Sequence, residues 1–259
     1  MNRIDRLFQE KEGEILSIYM TAGYPELEDG PKILKALQDA GADMVEIGIP
    51  FSDPLADGPV IQESSQRALS KGMSLKVLFE QLNGIREHIH MPLILMGYLN
   101  PILQYGMDDF LERCMRSGID GLIIPDLPAD EYEKDYLELF HRHGIYNILL
   151  ITPHTREDRI RKMASLSGGF LYMVADASTT GAKSSVEDYQ LEYFQRIGDM
   201  QLGLPCLAGF GISDHSTFTA ACSRARGAII GSAFIRALKE GKGSLEEKVH
   251  AFIAAVREG

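Results

Sequence analysis

The sequence lacks tryptophan, has only three cysteines, and carries 26 Lys and Arg against 37 Asp and Glu, for a formal net charge of −11. Such a deficit of basic residues argues against non-specific nucleic-acid binding, which depends on Lys and Arg neutralising phosphates. The cysteines are far apart and include no Cys-x-x-Cys. They are typical of reduced, buried thiols and exclude a disulfide-rich scaffold.

Long apolar runs are also missing. No run reaches the roughly 18 residues that a membrane span needs, and residues 1–13 are charged, without the apolar stretch of a secretory signal. The chain has 259 residues, of which 45% are hydrophobic and 24% charged, which suits one large α/β domain or two small ones. We therefore expect a cytoplasmic protein that binds neither nucleic acid nor membrane.

Short apolar segments alternate with amphipathic helical stretches along the whole chain. They predict eight strands, at 15–21, 44–49, 92–97, 121–125, 147–152, 169–175, 205–208 and 227–230. A helix at 2–11 precedes the first strand, and Ser244 with Glu247 forms a capping box at the start of the last helix. No linker or change in composition divides the chain, so we predict a single domain over 1–259.

Eight strands, each followed by a helix, in about 250 residues are typical of an α/β protein of the (β/α)8 TIM-barrel type. The alternative is a doubly wound open sheet, whose central strands are apolar on both faces. Here the first strand places Ser17, Tyr19 and Thr21 on one face and only apolar residues on the other. Polar groups near the end of one face favour the TIM barrel, with an extra N-terminal helix.

A carboxylate, Glu46, lies inside the second predicted strand between apolar neighbours. A buried carboxylate is costly unless it is paired or neutral. Glu46 is therefore either a structural residue paired with a Lys or Arg on a neighbouring strand, or a catalytic group at the carboxyl end of a barrel strand. In the proline-rich loop 50–59, Asp53 suits a turn. Asp57 is either a turn residue or a second carboxylate that shares acid/base chemistry with Glu46.

Glycines follow the last two predicted strands, in the run 209–213 (GFGIS) and at Gly231 before Ser232. TIM barrels commonly bind phosphate at these loops, through backbone N–H groups at a helix N-terminus. Glycines also serve plain turns, but their position at two such strand ends favours a phosphate site. The small, polar loop 176–185 suits either a mobile lid or a surface loop.

Sequence signals for metals and nucleotides are weak. His88 and His90, like His141 and His143, are two residues apart and lie on different helix faces, with no carboxylate at ligand spacing. No metal site is predicted. The sequence has no G-x-G-x-x-G after the first strand and no P-loop, so neither a dinucleotide nor ATP is implied.

Five segments resemble, in order, the tryptophan synthase α chain family. They are 21–25 (TAGYP), 46–59 (EIGIPFSDPLADGP), 96–101 (MGYLNP), 125–128 (PDLP) and 209–213 (GFGIS). The second segment is the most specific, and the resemblance covers essentially the whole chain. It implies a lyase of L-tryptophan biosynthesis that splits indole-3-glycerol phosphate into indole and glyceraldehyde 3-phosphate without a cofactor.

The resemblance also implies the site residues. Glu46 corresponds to the acid/base that helps protonate the indole C3 and takes the proton of the 3′-hydroxyl, and Asp57 to the carboxylate that stabilises charge at the indole N–H. Substrate-binding positions are Tyr19, Ile61, Met96, Tyr172, Thr180 and Phe210. Phosphate-binding positions are Gly181, Gly211, Gly231 and Ser232.

One segment departs from the family pattern, in which Ser-Arg and then Gly-Val-Thr-Gly follow the tyrosine at Tyr172. Here residues 175–176 are Ala-Asp and 178–181 are STTG, so an acidic residue replaces a basic one on the predicted lid. This change leaves the chemistry intact but puts in doubt whether lid closure, and its coupling to a partner, follow the family.

The family also implies a partner, a β chain that carries pyridoxal phosphate, in an α2β2 complex. We expect this chain to dock through 100–102 and 125–128. Two alternatives remain: a stand-alone indole-releasing lyase with no β chain, and an inactive scaffold that activates a β chain. Retention of Glu46 and Asp57 speaks against the scaffold.

Overall fold

A computed structural model describes residues 1–54, 57–174, 188–209 and 211–259. Within these ranges the strands are β1 (Ile15–Thr21), β2 (Met44–Gly48), β3 (Leu93–Met96), β4 (Gly121–Ile123), β5 (Tyr146–Asn147), β6 (Leu150–Ile151), β7 (Leu171–Val174), β8 (Cys206–Gly209) and β9 (Gly227–Ile230). They form one parallel sheet in the order β5-β4-β3-β2-β1-β9-β8-β7-β6.

The two ends of this sheet order belong to the same short segment, 146–151. The backbone N–H of Ile148 donates to the carbonyl of Leu122 on β4, at 2.8 Å, and the N–H of Tyr172 on β7 donates to the carbonyl of Leu149, at 3.0 Å. Because the segment bonds to β4 on one side and β7 on the other, the sheet closes into a barrel. β5 and β6 together act as its fifth strand.

Helices connect the strands and surround the barrel. They are α1 (Arg3–Glu10), α2 (Gly30–Asp39), α3 (Pro59–Ser70), α4 (Leu75–Gln81), α5 (Leu99–Tyr105), α6 (Met107–Arg116), α7 (Ala129–Glu131), α8 (Leu137–His143), α9 (Glu157–Leu166), α10 (Asp188–Asp199), α11 (His215–Cys222), α12 (Ser232–Glu240) and α13 (Leu245–Glu258). A 3-10 turn, Ile85–Glu87, precedes β3, and a π-helical turn, Tyr132–Tyr136, joins α7 to α8. In the part of the chain that the structure describes, no helix is both long and apolar enough to cross a bilayer.

The predicted TIM barrel with an extra N-terminal helix is confirmed. The predicted strands 15–21 and 227–230 match β1 and β9 to the residue, and the capping box of Ser244 and Glu247 is present. The prediction of one continuous fifth strand at 147–152 was wrong, because ladder pairing is interrupted between Asn147 and Leu150. The sixth, predicted at 169–175, begins only at Leu171, and residue 175 lies outside the described residues.

Two apolar layers make up the core. One fills the barrel interior and includes Ile15, Met44, Ile94, Ile123, Ile148, Phe170, Leu207 and Ile229. The other lies between the sheet and the helices. The helix α1 closes the N-terminal end of the barrel, because its Ile4 is fully buried against the interior layer. The opposite end, where the strands finish, is the mouth of the barrel.

A buried acid ties the closed end together. Asp120, immediately before β4, is 3% exposed. Its carboxylate accepts hydrogen bonds from Arg86 at 2.6 Å, from Arg3 of α1 at 3.0 Å and from the backbone N–H of Leu93 at 2.9 Å. The Asn2 side chain donates to the Asp120 carbonyl at 2.9 Å. These bonds fix α1 across the end of the barrel.

Candidate active site at the barrel mouth

The interior face of β1 becomes polar toward the mouth. Ser17, Tyr19 and Thr21 alternate along the strand and are all buried, as the side-chain alternation predicts. In the register between β1 and β2, Tyr19 lies opposite Glu46. The first two strands therefore bring hydroxyl groups and a carboxylate together inside the barrel.

Glu46 is fully buried, and its two carboxylate oxygens differ. Oε1 accepts a hydrogen bond from the Ser17 hydroxyl at 3.1 Å, whereas Oε2 has no hydrogen-bond partner among the described residues. No described lysine or arginine pairs with it, so the structural ion pair weighed from the sequence is not found in these ranges. Burial raises the pKa of Glu46 to about 8, and the Ser17 bond opposes this rise. Glu46 is therefore mostly a neutral acid at pH 7.

Asp57 comes from the loop between β2 and α3 and is partly buried. Its Oδ2 accepts a hydrogen bond from the Tyr98 hydroxyl at 3.1 Å. The Gln62 side chain donates to the Asp57 carbonyl at 2.7 Å, which ties the end of the loop to α3. Burial raises the pKa of Asp57 above its usual value, and the Tyr98 bond lowers it.

Two tyrosines stand beside these carboxylates, each against a glycine of the next strand. A Cβ atom at Gly48 would overlap the ring of Tyr19, and a Cβ atom at Gly209 would overlap the ring of Tyr172. Burial raises the pKa of both phenols. The next largest cause is the charge of Asp57 for Tyr19 and that of Glu46 for Tyr172. The rings therefore lie within electrostatic reach of the acids.

Ile61 and Met96, the other described substrate-binding candidates, also lie at the mouth. Met96 ends β3 and packs partly buried against the interior layer. Ile61 lies in the first turn of α3, where its carbonyl accepts the Ser64 hydroxyl at 2.8 Å. The Ser64 and Thr21 hydroxyl oxygens are 2.7 Å apart, so this turn is held against the end of β1.

The predicted phosphate residues lie after β8 and β9. Gly231 precedes α12 and Ser232 begins it, so the backbone N–H groups of the first turn open toward the mouth. A Cβ atom at Gly231 would stand 3.4 Å from the Cβ atom of Tyr19, which places this helix start beside the pocket wall. Gly211 has a φ of +78°, a conformation that suits glycine.

Thr180, Gly181 and Phe210, which complete the predicted set, lie outside the described residues, as does the predicted lid. Sequence reasoning missed two residues that the structure brings to the acids, Ser17 and Tyr98. The alternation along β1 already placed Ser17 on the correct face. No comparable signal linked Tyr98 to Asp57. The described residues contain no group of three or more His, Cys, Asp or Glu that could hold a metal ion.

Residues 5–258 match the family model described as tryptophan synthase alpha chain. The chain belongs to the tryptophan synthase alpha chain family.

Individual members of the tryptophan synthase alpha chain family agree with this match. The tryptophan synthase alpha chain of Christiangramia forsetii is 54% identical over 255 residues, which cover 97% of this chain and 99% of the relative. A crystal structure of tryptophan synthase subunit alpha from Legionella pneumophila superposes with a TM-score of 0.90 at 32% identity, covering 100% of this chain and 98% of that one. A chain from a tryptophan synthase complex of Pyrococcus furiosus has a TM-score of 0.83 at 30% identity, with 93% and 96% covered.

In this tryptophan synthase alpha chain family member, the mouth combines two carboxylates in different surroundings. Glu46 is fully buried and, among the described residues, pairs with no cation, so burial favours its neutral form. Asp57 is less buried and accepts a hydrogen bond that favours its charged form. Two carboxyl groups in such different surroundings can divide acid/base work and charge stabilisation.

Proposed function

We propose that this chain, a lyase of the tryptophan synthase alpha chain family, cleaves indole-3-glycerol phosphate to indole and glyceraldehyde 3-phosphate. This is the alpha-subunit reaction of tryptophan synthase in L-tryptophan biosynthesis. The observation that carries the proposal is the fully buried Glu46, which no described cation pairs, at the mouth that also holds Asp57.

Glu46 suits the proton transfers of this reaction. Its neutral carboxyl donates a proton to the indole C3, and the carboxylate that results takes the proton of the substrate's 3′-hydroxyl as the carbon–carbon bond breaks. The two transfers balance, so Glu46 ends each cycle protonated as it began. A carboxyl with a pKa of about 8 can do both near neutral pH, because a proton donor works best when its pKa is near the working pH.

Asp57 takes the complementary role. Protonation of C3 places positive charge on the ring and makes the indole N–H more acidic. An ionised carboxylate beside that N–H stabilises the charge where it develops. The Tyr98 bond favours the ionised form of Asp57 that this role requires.

The remaining candidates form the substrate pocket in this proposal. The pocket for the indole ring would be lined by Tyr19, Ile61, Met96, Tyr172, Thr180 and Phe210. The start of α12 at Gly231 and Ser232, with Gly211 and Gly181, would bind the phosphate through backbone N–H groups. Such a site needs no excess of Lys or Arg, which is consistent with a chain of net charge −11.

We further propose that the chain works as a single domain in the cytoplasm, where its three free cysteines stay reduced, and that it needs no cofactor of its own. Its proposed partner is a tryptophan synthase β chain carrying pyridoxal phosphate, in an α2β2 complex. The Pyrococcus furiosus chain with the same fold comes from a tryptophan synthase complex, which supports a partner. The proposed docking segments are 100–102 and 125–128. Asp126 accepts the backbone N–H of Leu99, the residue before the first segment, at 2.8 Å, which holds the two segments near each other.

The test is indole release from indole-3-glycerol phosphate, measured with and without the β chain. We expect wild type to release indole, faster when the β chain is present. We expect Glu46→Gln to lower the rate by about 10²- to 10⁴-fold, because it keeps the side-chain shape but removes the proton donor and base. Glu80→Gln, at an exposed position on α4, is the matched control and should match wild type. A wild type that releases no indole even with the β chain contradicts the proposal.

A further inference from the structure

Tyr98 joins the loop that carries Asp57 to the end of a barrel strand. It lies two residues after the end of β3 and is 6% exposed. The backbone on both sides is fixed, since the N–H of Gly97 donates to the carbonyl of Ile123 at 3.0 Å and the N–H of Leu99 donates to Asp126 at 2.8 Å. Tyr98 is thus anchored to the barrel.

From this position Tyr98 contacts the β2–α3 loop at two points. Its hydroxyl donates to Oδ2 of Asp57 at 3.1 Å. Its ring packs against Phe51, with the ring centroids 5.2 Å apart and the planes inclined at 33°. One side chain of the β3 end therefore holds both the beginning and the end of the loop.

Asp57 depends on such support, because it does not lie on a strand. The Gln62 bond fixes its backbone carbonyl, while the described bond that fixes its carboxylate comes from Tyr98. A catalytic group must be held within about half an ångström of its working geometry, and groups on loops need neighbours to hold them there.

We propose that Tyr98 is a positioning residue for the cleavage reaction, which turns the Asp57 carboxylate toward the indole N–H and keeps it ionised. This inference rests on the proposed function. The hydrogen bond stabilises the carboxylate against burial, which would otherwise favour its neutral form, and a neutral Asp57 could not stabilise positive charge on the ring.

Tyr98→Phe tests the proposal, because it removes the hydroxyl while keeping the ring against Phe51. In the complex with the β chain, kcat/KM for indole release should fall about 10- to 100-fold, the range for a hydrogen bond to a charged group. The acid limb of the pH–rate profile should move to higher pH. Tyr136→Phe is the matched control, since the Tyr136 hydroxyl has no hydrogen-bond partner in the described ranges, and it should leave both quantities unchanged.

Two further measurements separate positioning from a structural role. In an Asp57→Asn background, Tyr98→Phe should lower kcat/KM by no more than about 2-fold, because the partner it acts through is already gone. Carbon-13 NMR titration of the Asp57 carboxyl, which does not depend on activity, should give a higher pKa in Tyr98→Phe than in wild type.

The inference is overturned if wild type and Tyr98→Phe give the same acid limb and the same Asp57 pKa, or if Tyr98→Phe costs as much in the Asp57→Asn background as alone. Either result leaves the proposed function standing, because wild type still releases indole. A wild type that releases no indole overturns both.

Discussion

Each end of the barrel contains a buried carboxylate, Asp120 at the closed end and Glu46 toward the mouth. Asp120 is bonded by two guanidinium groups and a backbone N–H, at 2.6 to 3.0 Å. Glu46 receives one serine hydroxyl bond at 3.1 Å, and its second oxygen has no described partner. The two acids have similar burial, so the difference lies in what surrounds them.

The difference between the two acids indicates a different role for each end of the barrel. A buried charge that is paired and fully hydrogen-bonded holds elements together, and here it fixes α1 across the barrel. A buried acid with no cation keeps its proton and can transfer it. The closed end therefore suits a stabilising role and the mouth suits the proposed chemistry, as is general for TIM barrels.

The largest effect is expected at the closed end. Asp120→Asn should lower the free energy of unfolding by about 3–5 kcal/mol, because it leaves the partly buried Arg86 without its counter-charge. Urea denaturation measures the loss. Asp130→Asn, an exposed acid that also has two cationic partners, is the matched control and should cost far less. Equal losses of unfolding free energy in the two variants would show that the buried Asp120 stabilises the fold no more than an exposed acid does. The rate of indole release per folded Asp120→Asn molecule should stay near that of wild type.

The pH dependence of the free energy of unfolding should reveal the raised pKa of Glu46. The pKa of Glu46 is about 8 in the folded chain against an ordinary 4.5, so the folded state binds more protons than the unfolded state between these values. The contribution of Glu46 to the free energy of unfolding should therefore fall as pH rises from about 5 to about 8, by a few kcal/mol, and level off above. Denaturation of wild type and Glu46→Gln across this range measures it. The two curves should diverge, and parallel curves would contradict the raised pKa.

A smaller effect should follow removal of the Ser17 hydroxyl, whose hydrogen bond stabilises the charged form of Glu46. Ser17→Ala should raise the pKa of Glu46 further and move the alkaline limb of the kcat/KM profile upward by about one pH unit or less. Ser70→Ala, an exposed serine of α3 whose hydroxyl bonds only a local carbonyl, serves as the control. A downward movement of the limb in Ser17→Ala would show that the Ser17 bond does not stabilise the Glu46 carboxylate.

Much of the barrel could be predicted from local sequence patterns. Strands of four to seven residues with a period of two, such as β1, identify both the element and its inward face, which is why Ser17, Tyr19 and Glu46 were expected inside the barrel. The interruption of the fifth strand was not predictable, because residues 148–151 are all apolar and only the ladder bonds to β4 and β7 show where pairing stops.

Contacts between distant segments account for the rest. Asp57 and Tyr98 are 41 residues apart on different loops, so their bond depends on how β2 and β3 align and how each loop leaves its strand. The space for the Tyr172 ring likewise depends on Gly209, which the neighbouring strand places against it. This contact is set by the register between β7 and β8, which neither strand's sequence shows alone. The periodicity of the sequence predicts which face of a strand a side chain lies on. The contacts that shift the pKa values of the two acids form only when the barrel is assembled.

The most direct test of this account is the titration of the Glu46 carboxyl itself. Carbon-13 NMR of the side-chain carboxyl, assigned by the signal lost in Glu46→Gln, reports the midpoint in the intact protein. We expect a midpoint of about 8, so that Glu46 is protonated at neutral pH and able to donate. A midpoint near its ordinary value of 4.5 would contradict it, because Glu46 would then be a carboxylate at pH 7 with no proton to give.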